Sequence, residues 1–239
     1  MIIIRIIVSV IILLIYFLFL LITPKKYVYI LSQLFVKLIL YVCNLSNINI
    51  INKEIFDYYC GLNKPLIIVS NHTSLWDGLM LNNAFGKVRY LAAKGANKVF
   101  IGASYCLDKL DCIIIKDSGT VQTIKDNVKR RKANESILVI FPDAMDPISK
   151  YNNIAEFKTG AFAIGFDVLP ILIKYKNHEV DPTFYWYKNE NPLKGWLKVL
   201  LNSNINTTIK VLPLIKSMNN VEEFKNKVYS IMSTNLAKL

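Results

Sequence analysis

An apolar segment near the N-terminus sets the strongest limit on how this chain can fold. Residues 6–22 carry no charged side chain, and Ile2 to Ile4 extend the segment around Arg5. A helix needs about 20 such residues to cross a bilayer, and Arg5 can reach the interface near the helix end. The segment exceeds the ~7–15 apolar residues of a cleaved signal peptide, and no small-residue cleavage pattern follows it. It predicts an uncleaved transmembrane anchor over residues 1–24.

A second apolar segment, residues 27–43, comes directly after two lysines. Its polar residues Ser32, Gln33 and Lys37 gather toward one narrow stripe. This pattern is typical of an interfacial helix or of the returning arm of a helical hairpin. A core helix of a soluble domain fits equally well, because periodicity does not separate these cases. We expect residues 25–60 to form an interfacial or re-entrant helix and a connector.

Beyond residue 60, strand-like and helix-like segments alternate. Runs rich in β-branched and aromatic residues predict strands, and apolar residues at helical spacing predict helices. This alternation indicates an α/β domain over residues 61–239, a mixed sheet with flanking helices. Strands are predicted at residues 65–70, 88–93, 111–116, 137–141, 168–174, 183–187 and 207–212, and helices at 74–84, 120–132, 156–164 and 221–239.

A histidine and an aspartate five residues apart follow the first predicted strand. On one continuous helix they would point about 140° apart, so His72 and Asp77 can pair only if His72 lies in the turn before a helix. Thr73 and Ser74 supply the helix-start signal. The imidazole would then take a proton from a hydroxyl while Asp77 fixes its tautomer. A simple capping box from Ser74 to Asp77, with His72 as an ordinary loop residue, is the alternative.

A second carboxylate has a similar place in the pattern. Asp143 comes shortly after the predicted strand 137–141, as His72 follows the strand 65–70. Folds of this class place ligands in the loops at the carboxyl ends of their strands. We therefore expect Asp143 and His72 to meet at one edge of the sheet.

The charge balance and the cysteine pattern narrow the partners. A net charge of +12 favours an anionic partner, such as a membrane surface or phosphorylated groups. No nucleic-acid motif accompanies the charge, so no nucleic-acid partner is expected. Four cysteines without C-x-x-C spacing and only two histidines predict no metal site and a reducing, cytosol-facing domain. A luminal domain would fit the glycosylation acceptors Asn44, Asn71, Asn134 and Asn206.

The segment from His72 to Asp77 resembles the His-x4-Asp block of the glycerolipid acyltransferases, which acylate lysophosphatidic acid and related lysophospholipids. Further blocks follow in the family's order, and the resemblance covers about residues 60 to 215. Past the fourth block the chain looks most like the lysophosphatidylcholine acyltransferase-type branch. The matching segments are Lys94, Gly102 and Ile113-Ile114-Ile115-Lys116-Asp117; Ile140-Phe141-Pro142-Asp143; Phe157-Lys158-Thr159-Gly160-Ala161-Phe162; Val168-Leu169-Pro170-Ile171; and, for the branch, Leu172-Ile173-Lys174-Tyr175, Trp186 and Val211-Leu212-Pro213-Leu214.

This resemblance implies a glycerol-phosphate acyltransferase-like fold with an N-terminal membrane helix or helical hairpin. It implies direct transfer of a fatty acyl group from acyl-CoA, as co-substrate, to the free hydroxyl of lysophosphatidic acid or a choline or ethanolamine lysophospholipid. No cofactor is expected. An internal membrane, of the endoplasmic-reticulum type or another, is the expected location, with the catalytic domain in the cytosol. The implied catalytic residues are His72 and Asp77, and the implied substrate-binding residues are Lys94, Lys116, Asp143, Lys158 and Gly160.

Two departures from the family pattern bear on the chemistry. The third block usually reads Pro-Glu-Gly-Thr, but here Asp143, Ala144 and Met145 follow the proline. The second block usually has an arginine where this chain has Lys116 or Asp117, and lysine is not a bidentate phosphate ligand. The second change favours a capped head group over the doubly charged phosphate of lysophosphatidic acid. A lipid-binding protein without catalysis, or an acyl hydrolase that uses water as acceptor, also fits these residues.

Overall fold

A seven-stranded sheet forms the centre of the protein in the computed structural model, which describes residues 2–62, 64–74, 76–86, 88–92, 103–115, 120–130, 137–143, 153–176, 197, 199–201 and 205–239. The strands are β1 (Ile48–Ile51), β2 (Ile67–Ser70), β3 (Val88–Ala92), β4 (Ile113–Ile114), β5 (Ile137–Ile140), β6 (Val168–Lys176) and β7 (Asn206–Val211). The helices are α1 (Ile2–Ile22), α2 (Val28–Val42), α3 (Lys53–Gly61), α4 (Asp77–Phe85), α5 (Ala103–Lys109), α6 (Thr120–Lys129) and α7 (Val221–Ala237).

The order of the strands puts three of their carboxyl ends side by side. The sheet runs β1-β7-β6-β2-β5-β3-β4, and only β6 and β7 pair antiparallel. β2 pairs in parallel with both β5 and β6, and all residues of β2 and β5 are buried. Central parallel strands are covered on both faces, which explains their uninterrupted apolar sequence. Whatever follows β2 and β5 therefore meets the end of β6 at one edge.

Alternate residues of the strands enter two separate cores. On what we call the first face, Ile68, Val139, Leu169 and Ile171 pack with α2, α3 and α4. On the second face, the intervening residues pack with α6, α7 and the segment from Ile154 to Ile164. Because successive strand residues point to opposite sides, one strand supplies both cores.

α1 and α2 form a hairpin through a 3-10 turn at Lys25–Tyr27. The Tyr16 hydroxyl lies 2.7 Å from the Ser32 hydroxyl across the two helices. At the open end, Asn44, with its amide oxygen turned toward α1, accepts hydrogen bonds from the Arg5 guanidinium at 2.8 and 3.0 Å. These contacts fix the two helices along their length.

The turn end of the hairpin is held by α5. The Tyr105 hydroxyl donates to the Leu21 carbonyl at 2.9 Å, and the Lys109 ammonium donates to the Thr23 carbonyl at 2.8 Å. Both groups satisfy carbonyls that a helix leaves without partners at its C-terminus. Lys25 lies 3.5 Å from Asp108. The turn end of the hairpin is therefore tied to α5.

The predicted mixed α/β sheet with flanking helices is confirmed, with differences in three regions. The predicted helix at residues 156–164 is wrong, because only Thr159–Ala161 forms a single 3-10 turn. Before that turn the backbone pairs elsewhere, as the Lys158 amide donates to the Pro142 carbonyl. β1, α3 and α5 were not predicted, and the predicted strand 183–187 lies outside the described residues.

Candidate active site

The candidate site lies where β6 extends past the end of β2. β2 ends at Ser70, which pairs with Ile171, while β6 continues to Lys176. The side chain of Asn71 takes over the pairing, because its Nδ2 donates to the Ile173 carbonyl and its Oδ1 accepts from the Ile173 amide, both at 2.9 Å. The exposed edge of β6 is thereby satisfied, and the residues after Asn71 are free to form a turn.

This turn brings the histidine and the aspartate of the sequence motif together. His72 Nδ1 lies 2.8 Å from Asp77 Oδ2. The same oxygen accepts from the backbone amides of Thr73 at 2.7 Å and Ser74 at 2.8 Å. Asp77 is the first residue of α4, where a carboxylate is also favoured by the helix dipole. Capping of the turn and pairing with His72 are therefore two tasks of one carboxylate.

The other oxygen of this carboxylate has its own donor. The Tyr175 hydroxyl, near the end of β6, donates to Asp77 Oδ1 at 2.6 Å. Asp77 is fully buried, and a buried carboxylate is tolerated only when it is well supplied with hydrogen bonds. Because the acceptor is a carboxylate, Nδ1 of the neutral imidazole carries the proton and Nε2 is the basic nitrogen.

The imidazole of His72 is the part of the pair that reaches outward. Its side chain is 17% exposed whereas that of Asp77 is not exposed at all. Within the described part of the chain, Nε2 of His72 has no hydrogen-bond partner. A hydroxyl that approaches from outside can therefore meet the basic nitrogen.

An aromatic wall supports the ring of His72. Phe141, directly after β5, stacks on the imidazole with ring centroids 4.1 Å apart and planes 19° apart. Tyr90 of β3 lies parallel to Phe141, and its hydroxyl donates to the Gly78 carbonyl. Burial raises the pKa of the Tyr90 hydroxyl well above its ordinary value, with smaller effects from Cys112, Tyr29 and Asp77. Tyr90 therefore stays neutral and keeps its bond to Gly78.

Asp143 lies beside His72 at the same edge, and it contacts the backbone of the turn at His72. Its Oδ2 accepts from the His72 amide at 2.9 Å, and the residue is only 2% exposed. The backbone amide of Lys158 donates to the carbonyl of Pro142, the residue before Asp143. The side chain of Lys158 is exposed. Gly160 is exposed as well, and a Cβ placed there would meet nothing within 4 Å. Lys94 and Lys116 lie outside the described residues.

Sequence reasoning gave no role to three residues of this site. Phe141 and Tyr175 were predicted only as parts of strands or matching blocks, and Asn71 only as a glycosylation acceptor. Asn71 carried a weak signal, because an amide directly after a buried strand is able to extend its pairing. For Tyr175 no signal in one sequence reveals that β6 outruns β2. In the part of the chain that is described, no three His, Cys, Asp or Glu side chains are grouped to hold a metal ion.

A His–Asp pair with a buried carboxylate, at the carboxyl edge of an α/β sheet and with the second imidazole nitrogen open, has the geometry that general-base chemistry needs. The family follows from the sequence itself. The profile of the Acyltransferase family matches residues 44–174, which is more than half of the chain. The protein therefore belongs to the acyltransferase family.

Individual relatives agree with this assignment. Lysophospholipid acyltransferase LPCAT4 of Xenopus tropicalis is 25% identical over 188 residues, which are 73% of this chain and 34% of that protein. Lysophospholipid acyltransferase LPEAT1 of Arabidopsis thaliana is 28% identical over 123 residues, 47% of this chain and 29% of that protein. The chain thus spans about a third of the length of these relatives.

A solved structure has the same fold. The 1-acyl-sn-glycerophosphate (LPA) acyltransferase PlsC of Thermotoga maritima superposes with a TM-score of 0.65 at 16% identity. The match covers 98% of this chain and 97% of PlsC. The predicted glycerol-phosphate acyltransferase-like architecture is therefore confirmed over nearly the whole protein.

Proposed function

We propose that this protein transfers a fatty acyl group from acyl-CoA to the free hydroxyl of a lysophospholipid. The observation that carries the proposal is the 2.8 Å contact between His72 Nδ1 and the buried Asp77 carboxylate, which leaves Nε2 facing outward. Membership of the acyltransferase family supports the choice of reaction, and the names of two relatives, both lysophospholipid acyltransferases, support the choice of acceptor.

In this mechanism the acceptor hydroxyl attacks the thioester carbonyl while His72 Nε2 takes the hydroxyl proton. The Asp77 carboxylate stabilises the imidazolium that forms. Collapse of the tetrahedral oxyanion breaks the carbon–sulfur bond and expels the CoA thiolate. The imidazolium returns its proton to that sulfur, so that the products are a phospholipid and free CoA. Transfer is direct, within one ternary complex, and no acyl-enzyme forms.

The acceptor is placed next to His72 by residues at the same edge of the sheet. Lys158 is exposed beside the turn that holds Asp143, so its ammonium is available to a lipid phosphate. Gly160 leaves open space beside it. Lys94 and Lys116 remain predicted ligands of the substrates. Without the family's usual arginine, we expect choline or ethanolamine lysophospholipids to be preferred to lysophosphatidic acid.

The α1–α2 hairpin is the proposed membrane attachment. One helical segment, Ile3–Ile22, is long and apolar enough to cross a bilayer among the described residues. The turn end of the hairpin is bonded to α5, and α2 packs beside α4 on the first face, which favours a hairpin that lies along the domain over a span that leaves it. The cytosolic side of an internal membrane remains the predicted location, and a mobility shift after deglycosylation would contradict it.

The test is an acyl-transfer assay with purified protein in detergent. Labelled acyl-CoA is incubated with lysophosphatidic acid, lysophosphatidylcholine or lysophosphatidylethanolamine, and the labelled products are identified. His72→Ala is the matched control, because it removes the base and leaves the fold. General-base catalysis contributes about 10²–10⁴ in rate, so the control should lose nearly all labelled phospholipid.

Other products would redirect the assignment. Labelled free fatty acid, lost in His72→Ala, would show an acyl hydrolase. No product from a folded protein with any of the acceptors would show a lipid-binding protein without catalysis. Preference for lysophosphatidic acid would refute the capped head group while leaving acyl transfer intact.

A further inference from the structure

Within the described residues, the hydroxyl of Tyr175 is the one side-chain donor to Asp77 that comes from the sheet. Its bond to Oδ1, at 2.6 Å, joins residues 98 positions apart in the sequence. The three donors to Oδ2 all come from the local turn at His72, Thr73 and Ser74. Tyr175 therefore connects the catalytic carboxylate to the rigid sheet.

The direction of the Tyr175 side chain is fixed on both sides. The backbone of Ile173 is held by the double hydrogen bond from Asn71. On the opposite face of β6, Lys174 donates to the Leu236 carbonyl at 3.4 Å and Lys176 to that of Leu239 at 2.7 Å. Because strand residues alternate between faces, these contacts aim Tyr175 at the first face. It is 3% exposed there.

We propose that Tyr175 is a positioning residue, which acts on the reaction through Asp77 by holding the plane of its carboxylate. The inference rests on the proposed acyl transfer. Rotation of an aspartate carboxylate about its last torsion is soft, so bonds to one oxygen do not fix where the lone pairs of that oxygen point. A donor on the second oxygen does. With Tyr175 in place, Oδ2 stays aligned with Nδ1 of His72 and the imidazole stays aligned with the acceptor.

The test is the variant Tyr175→Phe, which removes one oxygen atom. Hydrogen bonds to charged groups are strong, so we expect kcat to fall about tenfold. The KM values for acyl-CoA and lysophospholipid should stay within about twofold, because the hydroxyl donates to Asp77 and the residue is only 3% exposed. Tyr229→Phe is the matched control, since the Tyr229 hydroxyl donates to the Ile154 carbonyl at 3.1 Å on the second face. The control should keep the wild-type kcat.

A double-mutant cycle separates positioning from a structural role. If Tyr175 acts through Asp77, Tyr175→Phe should have almost no further effect on kcat in the Asp77→Ala background. The melting temperatures of Tyr175→Phe and Tyr229→Phe are measured as well. The fall in kcat of Tyr175→Phe should be larger than its loss of stability accounts for. An additive cycle, an unchanged kcat, or a rise in KM alone would overturn the proposal.

A spectroscopic measurement covers the case in which the Phe variant is unstable. The chain has only two histidines, so protein labelled with ¹⁵N-histidine gives a simple spectrum. The Nδ1 proton of His72 should be seen in the wild type and in Tyr229→Phe, and should broaden or vanish in Tyr175→Phe. An unchanged signal would also overturn the proposal. If the wild type transfers no acyl group, the proposed function fails instead, whatever the variants do.

Discussion

Two helices of this protein, α2 and α7, lie on opposite faces of one sheet and have opposite outer surfaces. Both bury a stripe of side chains in the core, Val36, Ile39 and Leu40 on α2 and Phe224, Val228 and Met232 on α7. The outward residues of α7 are polar: Glu223, Asn226, Lys227, Ser230 and Thr234. Those of α2 are largely apolar: Ile30, Leu34, Leu38 and Tyr41.

The comparison shows that packing on the sheet determines only half of each helix. The residues on the outer half are suited to whatever surrounds them. The apolar outer surface of α2 continues onto α1, and together they form a larger exposed apolar surface than soluble proteins usually have. The candidate active site lies on the first face, the side of the hairpin, since Tyr175 and the helix α4 that begins at Asp77 pack there. The second face is the conventional core of a soluble domain. We therefore expect stability to be concentrated on the second face and function on the first.

The largest expected effect comes from the second face. Phe224 is fully buried and lies edge-on to Phe162, with ring centroids 5.4 Å apart. Phe224→Ala should lower the free energy of unfolding by about 3–5 kcal/mol, because it leaves a cavity. Denaturant unfolding in detergent measures this, and Leu34→Ala, on the outer face of α2, is the control that should change little. The division between the faces fails if kcat per folded molecule falls as well.

Asp143 provides the corresponding test at the candidate active site. Its carboxylate holds the His72 amide, so Asp143→Ala should reduce kcat by about tenfold to a hundredfold without raising the KM for the acceptor. Asp167→Ala is the matched control, because the Asp167 carboxylate likewise accepts from a distant backbone amide, that of Ser217, away from the site. A raised acceptor KM at unchanged kcat would instead support the substrate-binding role that the family resemblance implies.

The alternation of elements sufficed to predict the architecture, but not its details. β2, β5 and β6 have continuous apolar sequences, so their strands were predicted within a few residues. β1 is a four-residue edge strand containing Asn49, too short and too polar to stand out. The segment 156–164 has apolar residues at helical spacing, yet it runs mostly in turns because its backbone bonds to Pro142.

The geometry of the candidate site was predicted as far as local sequence determines it. The turn that pairs His72 with Asp77 needs only nearby residues, so spacing alone suggested it. Asp143 was placed at the right edge because it follows a parallel strand. Its bond to the amide of His72, and the bond from Tyr175 to Asp77, depend on the register and lengths of neighbouring strands. Strand register and strand length are set by the whole sheet, so the sequence around Asp143 or Tyr175 does not reveal these bonds.

The smallest expected effect tests whether the apolar outer surface of α2 contacts lipid. Leu34 is 64% exposed in the middle of the apolar stripe, and Thr234 is exposed in the polar stripe of α7. Lysine at either position faces outward, so neither Leu34→Lys nor Thr234→Lys should change the fold. If the hairpin face is embedded, Leu34→Lys loses apolar contact with lipid and adds a charge that lipid disfavours.

We therefore expect Leu34→Lys to lower the fraction of protein that floats with phospholipid vesicles about tenfold at limiting lipid. Thr234→Lys should float like the wild type. Both variants add one positive charge, and the vesicles are made of neutral lipid. Electrostatic attraction to the lipid therefore does not explain a difference between the variants. Equal flotation of both variants would mean that α1 alone anchors the protein and that the apolar face of α2 meets something other than lipid. In that case the active site is not held against the bilayer by α2, and an acceptor in the membrane would have to leave it to reach His72.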